Sequence, residues 1–177
     1  MAAQDSARLM MGARLAAALV PFVCGLLGVV FSNLPITLFG GLVPSPLLGF
    51  IPVYFWCLVR PDLMTPAATF AIGILQDVMS GGPPGIWTLS FIVAYVVIQR
   101  QRDAFAGLAG VAAVLGFATA TLIVCAVAYL TTAALYHPAP LGPIVAELAI
   151  TVLFYVPGAF VVGSLHRRLV GPLRSDF

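Results

Sequence analysis

Long uncharged apolar runs, separated by short turns that carry arginine, constrain the fold of this chain more than any other feature. One such run, residues 107–136, holds thirty residues without a charged side chain. A helix needs about twenty apolar residues to cross the roughly 30 Å hydrocarbon core of a bilayer. Of the 177 residues, 62% are hydrophobic and 8% are charged, whereas a soluble domain averages roughly 45–50% and 25%. The chain is therefore predicted to be an all-α integral membrane protein.

The turns divide the chain, 1–177, into six predicted transmembrane helices within a single domain. The predicted helices cover residues 15–34, 46–59, 66–79, 85–99, 107–136 and 141–165. The second is short, and Pro52 removes one of its backbone hydrogen bonds, so we expect that helix to be broken, to be matched by a thinner bilayer, or to be extended by Pro44 and its neighbours. Residues 35–45 are an uncharged connection that either lies at the membrane surface or dips back into the membrane.

The basic residues set the predicted orientation, because arginine and lysine concentrate in cytoplasmic loops. All eight are arginine, and with six helices they all fall on one side: Arg8, Arg14, Arg60, Arg100, Arg102, Arg167, Arg168 and Arg174. The three connections on the other side contain no basic residue apart from one histidine. We therefore expect a compact bundle with both termini in the cytoplasm. The net charge of +2 is too small to indicate a nucleic-acid partner.

Two acids, Asp77 and Glu147, lie inside or at the edge of apolar helices without an arginine in a helix to pair with. An ionisable group at that depth costs about 2.5–3.5 kcal/mol on insertion scales, so it is usually satisfied inside the bundle. Asp77 either bonds to the backbone of the glycine hinge 80–85 or has a functional role. Glu147 either makes a protonated or hydrogen-bonded contact between helices or has a functional role. Both acids belong to the outer half of the membrane, where they could share a polar pocket for a ligand or face a partner.

Small residues form a ladder along one face of the fifth predicted helix. Ala112, Gly116 and Ala120 recur at a spacing of four, which lets another helix approach closely, either from the same bundle or from another protein. Tyr54 and Trp56 lie near the arginine side of the second helix. Amphipathic rings at that position are expected in the headgroup region.

Sequence patterns for catalysis and for metal binding are missing. The chain has no Gly-x-Ser-x-Gly elbow, no His-Glu-x-x-His and no phosphate-binding Gly-x-x-x-x-Gly-Lys. Cys24, Cys57 and Cys125 have no Cys-x-x-Cys spacing, and His137 and His166 have no second ligand at metal spacing. We predict a protein that is not an enzyme and that uses no metal or cofactor.

The central stretch, residues 50–102, presents a series of motifs in a fixed order. These are Arg60-Pro61, then Phe70-x-x-Gly73-Ile74-Leu75-Gln76-Asp77, then a glycine hinge to Pro84-Gly85, then an apolar helix with Tyr95 and Arg100. This order resembles the MreD family of rod shape-determining membrane proteins. The most specific part is Gly-x-x-x-Asp…Gly-x-x-Pro-Gly across the third and fourth helices, while the flanking helices agree only in number and hydropathy.

The resemblance implies a fold like that of the substrate-binding membrane subunits of energy-coupling-factor vitamin transporters. It also implies a place in the bacterial cytoplasmic (inner) membrane, in the machinery of lateral peptidoglycan synthesis. The implied partners are a bitopic MreC-type protein, the peptidoglycan polymerase and transpeptidase, membrane lipids and, indirectly, the actin-like MreB filament. The matching positions, which the resemblance assigns to fold definition and partner docking, are Arg60, Pro61, Asp77, Gly81, Pro84 and Gly85. This chain differs in its charge-poor inner turn and in lacking lysine.

Two functions from different classes follow. The first is a non-enzymatic subunit of the cell-elongation complex that docks partner proteins through an exposed small-residue face and an irregular second helix. The second is a solute- or vitamin-binding subunit of an energy-coupling-factor-type transporter, with Asp77 and Glu147 lining an outward pocket and Trp87 or Tyr136 stacking on the ligand. The scarcity of polar side chains in the outer connections argues against the second, because a hydrophilic vitamin needs hydrogen bonds. A membrane enzyme is disfavoured because no nucleophile and base pair is present.

Overall fold

The structure, a computed structural model, describes residues 19–34, 44–108, 110–136 and 140–170. Throughout these ranges the chain forms helices joined by short turns, with no strand. The all-helical architecture predicted from the sequence is confirmed. Several predictions fall outside the described residues: those for Arg8, Arg14, Arg174, His137 and residues 15–18 and 35–43.

Seven helices lie within the described ranges, and the six longest correspond to the six predicted ones. They are α1 Leu19–Ser32, α2 Phe50–Val59, α3 Pro66–Ser80, α4 Ile86–Arg100, α5 Arg102–Ala106, α6 Val111–Leu135 and α7 Leu141–Leu165. A π-helical turn, His166–Val170, follows α7. The short α5 was not predicted. The largest differences in bounds are at the starts of α2 (46 predicted, Phe50 observed) and α6 (107 predicted, Val111 observed).

The late start of α2 has a specific cause, because side chains from other helices bind the backbone that precedes it. The Leu47 N–H donates to Thr151 Oγ1 on α7 (2.9 Å), and the Leu48 N–H donates to Ser32 Oγ on α1 (2.9 Å). With the helix starting at Phe50, Pro52 lies in the first turn, where no N–H donor is needed. The expected break at Pro52 is therefore wrong, because this proline belongs to the start of the helix.

The core lies around α2 and α4. α4 packs against α2, α3 and α6, and α7 packs against α2 and α6. The rings of Phe117 on α6 and Tyr155 on α7 stack with centroids 4.2 Å apart. Tyr54 and Trp56 are 1% and 0% exposed, so the predicted headgroup position of these two rings is wrong. Because α2 is surrounded by other helices, its aromatic side chains belong to the core.

The described arginines gather at one end of the bundle. Arg102 Nε donates to the Leu58 carbonyl near the end of α2 (3.3 Å), and the Phe55 ring lies 6.0 Å from the His166 ring. These contacts bring the ends of α2, α4 and α7 together with α5. The five arginines within the described ranges are Arg60, Arg100, Arg102, Arg167 and Arg168. The hinge between α3 and α4 lies at the opposite end, where the described residues include no basic side chain.

Two helical segments are long and apolar enough to cross a membrane. They are α6, Val111–Leu135, and α7 together with most of the π-helical turn, Leu141–Leu169. α1, α2 and α4 are apolar but shorter. Large apolar side chains also cover the outside of the bundle; on α7, for example, Leu153 is 73% exposed and Phe160 is 72% exposed. A membrane crossing by all six helices stays a prediction.

Candidate functional site at the hairpin of α3 and α4

The hairpin of α3 and α4 contains the most specific part of the sequence pattern, and glycine shapes its turn. Gly81, which ends α3, has φ +66°, and Gly85, which precedes α4, has φ +93°. A residue with a Cβ is strained at positive φ, whereas glycine is not. These two glycines therefore fix the turn that directs α4 back along α3.

A third glycine allows the two helices to approach closely. A Cβ placed on Gly73 would lie 2.6 Å from the Cα of Thr88. Backbone atoms of two helices cannot yield as the tip of a flexible side chain can, so this crossing requires glycine on α3. The close contact brings the second half of α3 beside the first turn of α4.

Asp77 on α3 binds the start of α4. The Trp87 N–H donates to Asp77 Oδ1 (2.8 Å), and the Thr88 N–H donates to Asp77 Oδ2 (3.1 Å). The Thr88 hydroxyl also donates to Oδ2. The first N–H groups of a helix have no partner within the helix, and a side-chain oxygen commonly caps them. Here the cap comes from another helix, because Gly85 at the N-cap position has no side chain to offer.

This cap explains how a carboxylate 5% exposed can exist without an arginine partner. The N-terminus of a helix has a partial positive charge, which stabilises a nearby anion. Of the two interpretations of Asp77, the structure shows backbone bonding, with the first turn of α4 as the partner instead of the hinge glycines. Both carboxylate oxygens of Asp77 accept hydrogen bonds from the chain itself. The geometry therefore does not favour a role for Asp77 as a general base or as a ligand-binding group.

Residues of α3, the hinge and α4 together line a wide groove on the hairpin. Its volume is about 630 Å³. Gly81, Gly85 and Asp77 are among the residues that line it. Most of the other lining side chains are apolar, and among them Phe70 is 50% exposed and Val78 is 72% exposed. The groove offers shape and apolar surface, and Pro84, another of the matching positions, also lines it.

Arg60 and Pro61, the other two matching positions, lie at the arginine end, far from the hinge. Arg60 forms a bidentate ion pair with Asp62, and the shortest N–O distance is 2.8 Å. This hydrogen bond lowers the pKa of the Asp62 carboxyl and raises the pKa of Arg60. The pair therefore contributes stability above the ordinary pKa of an aspartate and loses it as the pH falls through the lowered value. The Arg60 side chain is partly exposed and that of Asp62 is largely exposed, so the contribution is within about 1 kcal/mol.

Glu147 lies in a different place from Asp77. It is in the second turn of α7 and lines a cavity of about 180 Å³ together with Trp87. Asp77 lines the groove and Glu147 lines this cavity, and neither of the two is lined by both acids. Tyr136 does not line the Glu147 cavity either.

The small-residue ladder on α6 faces the interior of the bundle. Gly116 and Ala120 are buried, and Ala112 is partly buried. A Cβ on Gly116 would lie 2.9 Å from the Tyr54 hydroxyl oxygen. The ladder therefore packs within the chain, and the exposed small-residue face expected for partner docking is wrong.

Sequence reasoning missed three polar residues with structural roles, one of which belongs to this site. Thr88 completes the cap on α4, whereas Ser32 and Thr151 hold the segment before α2. Their only sequence signal is a hydroxyl inside an apolar run, which is common because such a hydroxyl can bond its own helix. Their partners are distant in sequence and became visible only in the fold.

Comparison of the chain with protein-family models, curated proteins and solved structures finds no match.

Proposed function

We propose that this chain crosses the bacterial cytoplasmic membrane six times, with both termini in the cytoplasm, and is a non-enzymatic subunit of the cell-elongation complex. In that role it maintains rod shape during lateral peptidoglycan synthesis by docking partner membrane proteins. The partners are an MreC-type bitopic protein and the peptidoglycan polymerase and transpeptidase, with the actin-like filament reached indirectly.

One observation carries the proposal, namely the structural use of the sequence pattern that resembles the MreD family. Gly73, Asp77, Gly81 and Gly85 all hold α3 against α4. None of them is left as a reactive group in the groove. A pattern used wholly for shape supports a docking role more than a catalytic or substrate-binding one.

The membrane part of the proposal is supported by the separation of charge and by the apolar exterior. The described arginines lie at one end, as the positive-inside rule requires of a cytoplasmic face. Apolar side chains such as Leu122 (56% exposed) and Leu130 (65% exposed) on α6 face outward. Such a surface is unfavourable in water and ordinary in lipid.

In the proposed complex, the single transmembrane helix of the bitopic partner packs into the groove of α3 and α4. Glycines in the lining allow close backbone approach, and the exposed side chains of Phe70, Ile74 and Val78 provide the contact surface. In lipid, helices associate mainly through close packing and interhelical hydrogen bonds. A rigid hairpin stabilises such packing because it loses little conformational freedom on binding.

The transport alternative has one observation in its favour, the cavity beside Glu147. Its volume of about 180 Å³ is below the roughly 300–1,000 Å³ typical of small-molecule sites. That volume is small for a vitamin site, and the polar side chains that line the groove of α3 and α4, Asp77 and Thr88, already bond each other. The geometry therefore supports the docking role better.

Depletion of the protein from its source bacterium tests the two functions against each other. Cells that widen or round up, in minimal and in vitamin-rich medium alike, are the expected result of losing an elongation subunit. Cells that keep their shape and grow only with a vitamin supplement would favour transport and contradict the proposal.

A matched pair of variants tests the groove. Ile74→Trp fills it without touching the Asp77 cap, whereas Leu122→Trp adds the same bulk to an exposed position on α6. We expect Ile74→Trp to reduce recovery of the bitopic partner in a detergent pull-down by tenfold or more (about 1.4 kcal/mol), with Leu122→Trp behaving like the native chain. Equal recovery with both variants would place the docking surface elsewhere.

A further inference from the structure

Glu147 is an acid whose carboxylate has no hydrogen-bond or ion-pair partner among the described residues. Only its backbone carbonyl is used, as the acceptor for the Thr151 hydroxyl (2.6 Å). The side chain is partly buried in the second turn of an apolar helix. An unpaired carboxylate in such a place is costly, and a chain that keeps one generally pairs it with something.

The carboxylate shares its cavity with one aromatic side chain and mostly apolar groups. The cavity lies where the start of α4 meets α6 and α7, and its lining includes Trp87, Cys125, Thr132 and Ile144. Glu147 is the only charged residue among the lining residues described. A chamber with one negative group and an indole in its wall suits a cation that has an apolar body, because both groups attract positive charge.

The volume of the cavity and the small number of oxygen ligands in it favour an organic cation over a metal ion. A hard metal ion takes about six to eight oxygen ligands, and the described residues include no group of three or more His, Cys, Asp or Glu that could hold a metal. A volume of about 180 Å³ is enough for an ammonium group with a few carbon atoms. It is small compared with the roughly 300–1,000 Å³ of a site for a drug-sized ligand.

We propose that this cavity binds a small organic ammonium group, with Glu147 as its charge partner and Trp87 as its aromatic wall. The group could be the headgroup of an aminophospholipid or a free amine, and the chemistry of recognition is the same for both. Glu147 lies six residues, or about 9 Å, along α7 from Leu141. It therefore lies near the end of the bundle opposite the arginines, within reach of lipid headgroups when the chain crosses a bilayer. The proposal does not rest on the cell-elongation role.

The test uses the full chain in a non-ionic maltoside detergent, which contains no amine. One arm titrates ethanolamine hydrochloride against sodium chloride at equal ionic strength. The other compares added phosphatidylethanolamine with added phosphatidylglycerol. Tryptophan emission is the readout because Trp87 lines the cavity, while the only other tryptophan, Trp56, is fully buried elsewhere and gives a constant background.

Three variants identify the site. Glu147→Gln keeps the shape and removes the charge, Ala128→Leu fills the cavity and keeps the charge, and Asp103→Asn removes an exposed acid on α5 as a control. We expect a saturable emission change in the native chain and in the control, and binding at least tenfold weaker in the other two. Thermal unfolding of each variant without amine establishes beforehand that it is folded.

The two arms separate the possible sources. Binding of phosphatidylethanolamine alone assigns a lipid headgroup site, and binding of ethanolamine as well assigns a general amine site; either result supports the proposal. It is overturned if neither compound gives a saturable change in the native chain. It is also overturned if folded Glu147→Gln binds as tightly as the native chain.

Discussion

At the scale of single residues, the buried acid on α3 shows how an apolar helix can keep a charge without a basic partner. The carboxylate of Asp77 accepts hydrogen bonds from two backbone N–H groups at the start of α4. Each partner therefore supplies the hydrogen bonds that the other lacks. The charge is stabilised by the helix N-terminus, and the first turn of α4 is stabilised by the charge. The residue therefore acts inside the fold, and its effect on any partner comes through the shape of the hairpin.

Replacing Asp77 tests this interpretation. Asp77→Ala leaves the N–H groups of Trp87 and Thr88 without an acceptor, and the expected loss in free energy of unfolding is about 2–3 kcal/mol. Asp77→Asn keeps one acceptor oxygen and should lose less. Denaturation by SDS in mixed micelles, followed by circular dichroism, measures both against Asp103→Ala as an exposed control. A stable Asp77→Ala chain that fails to recover its partner would instead make Asp77 a contact residue.

Thr151 is a second polar residue with an internal role. It is fully buried, and its hydroxyl accepts a hydrogen bond from the Leu47 N–H while donating to the Glu147 carbonyl. Thr151→Val is close in shape and leaves that N–H unsatisfied, so we expect a loss of about 1–3 kcal/mol in free energy of unfolding. Thr119→Val is the matched control, because Thr119 is exposed and bonds only its own helix. Equal losses in both variants would show that the link to the segment before α2 contributes nothing.

At the scale of the helices, the hairpin of α3 and α4 is one unit that depends on glycine at the crossing. Gly73→Ala places a Cβ 2.6 Å from the Thr88 Cα and should push the helices apart. Alanine gains about 1 kcal/mol in helix propensity, while overpacking costs about 1–3 kcal/mol or more, so we expect a net loss of stability. Gly142→Ala on α7, where a Cβ would meet nothing within 4 Å, should be neutral or stabilising.

The same crossing predicts energetic coupling. Because separating the helices also stretches the bonds from Asp77 to α4, the losses from Gly73→Ala and Asp77→Ala should not add in the double variant. Their sum should exceed the loss measured for the double variant by about 0.5 kcal/mol or more. Strict additivity in the same SDS denaturation would show that the close crossing and the cap act independently.

Helix order and most helix bounds could be read from the sequence because apolar length and proline position are local properties. The start of α2 could not, since it depends on Ser32 and Thr151, which lie on other helices. Asp77, Gly81 and Gly85 were identified as candidate residues through the resemblance of their motif, whereas Gly73 was noted only as part of that motif. Thr88, the partner of Asp77, was not identified, because a hydroxyl in an apolar helix gives no sign of whether it bonds its own backbone or a neighbour's side chain.

At the scale of the whole molecule, charge is unevenly distributed between the two ends. Arg60, Arg100 and Arg102 come from turns that are far apart in sequence, yet the fold brings them together with the arginines that follow α7. The hinge of α3 and α4 lies at the other end. An arrangement of this kind gives a bundle one orientation in a membrane, because translocating clustered arginine is unfavourable. The two ends should therefore face different compartments.

Thiol labelling in cells tests that orientation. Asp103→Cys lies beside the arginines, and Gly82→Cys lies exposed in the hinge; both are made in a Cys24→Ala background, since Cys57 and Cys125 are buried. A membrane-impermeant maleimide added to spheroplasts should label Gly82→Cys and spare Asp103→Cys, and inside-out vesicles should give the reverse. This result follows from the proposed orientation, in which the arginine end faces the cytoplasm. Labelling of both positions from one side would mean that the bundle does not span the membrane in this way, and the six-helix crossing would then be abandoned.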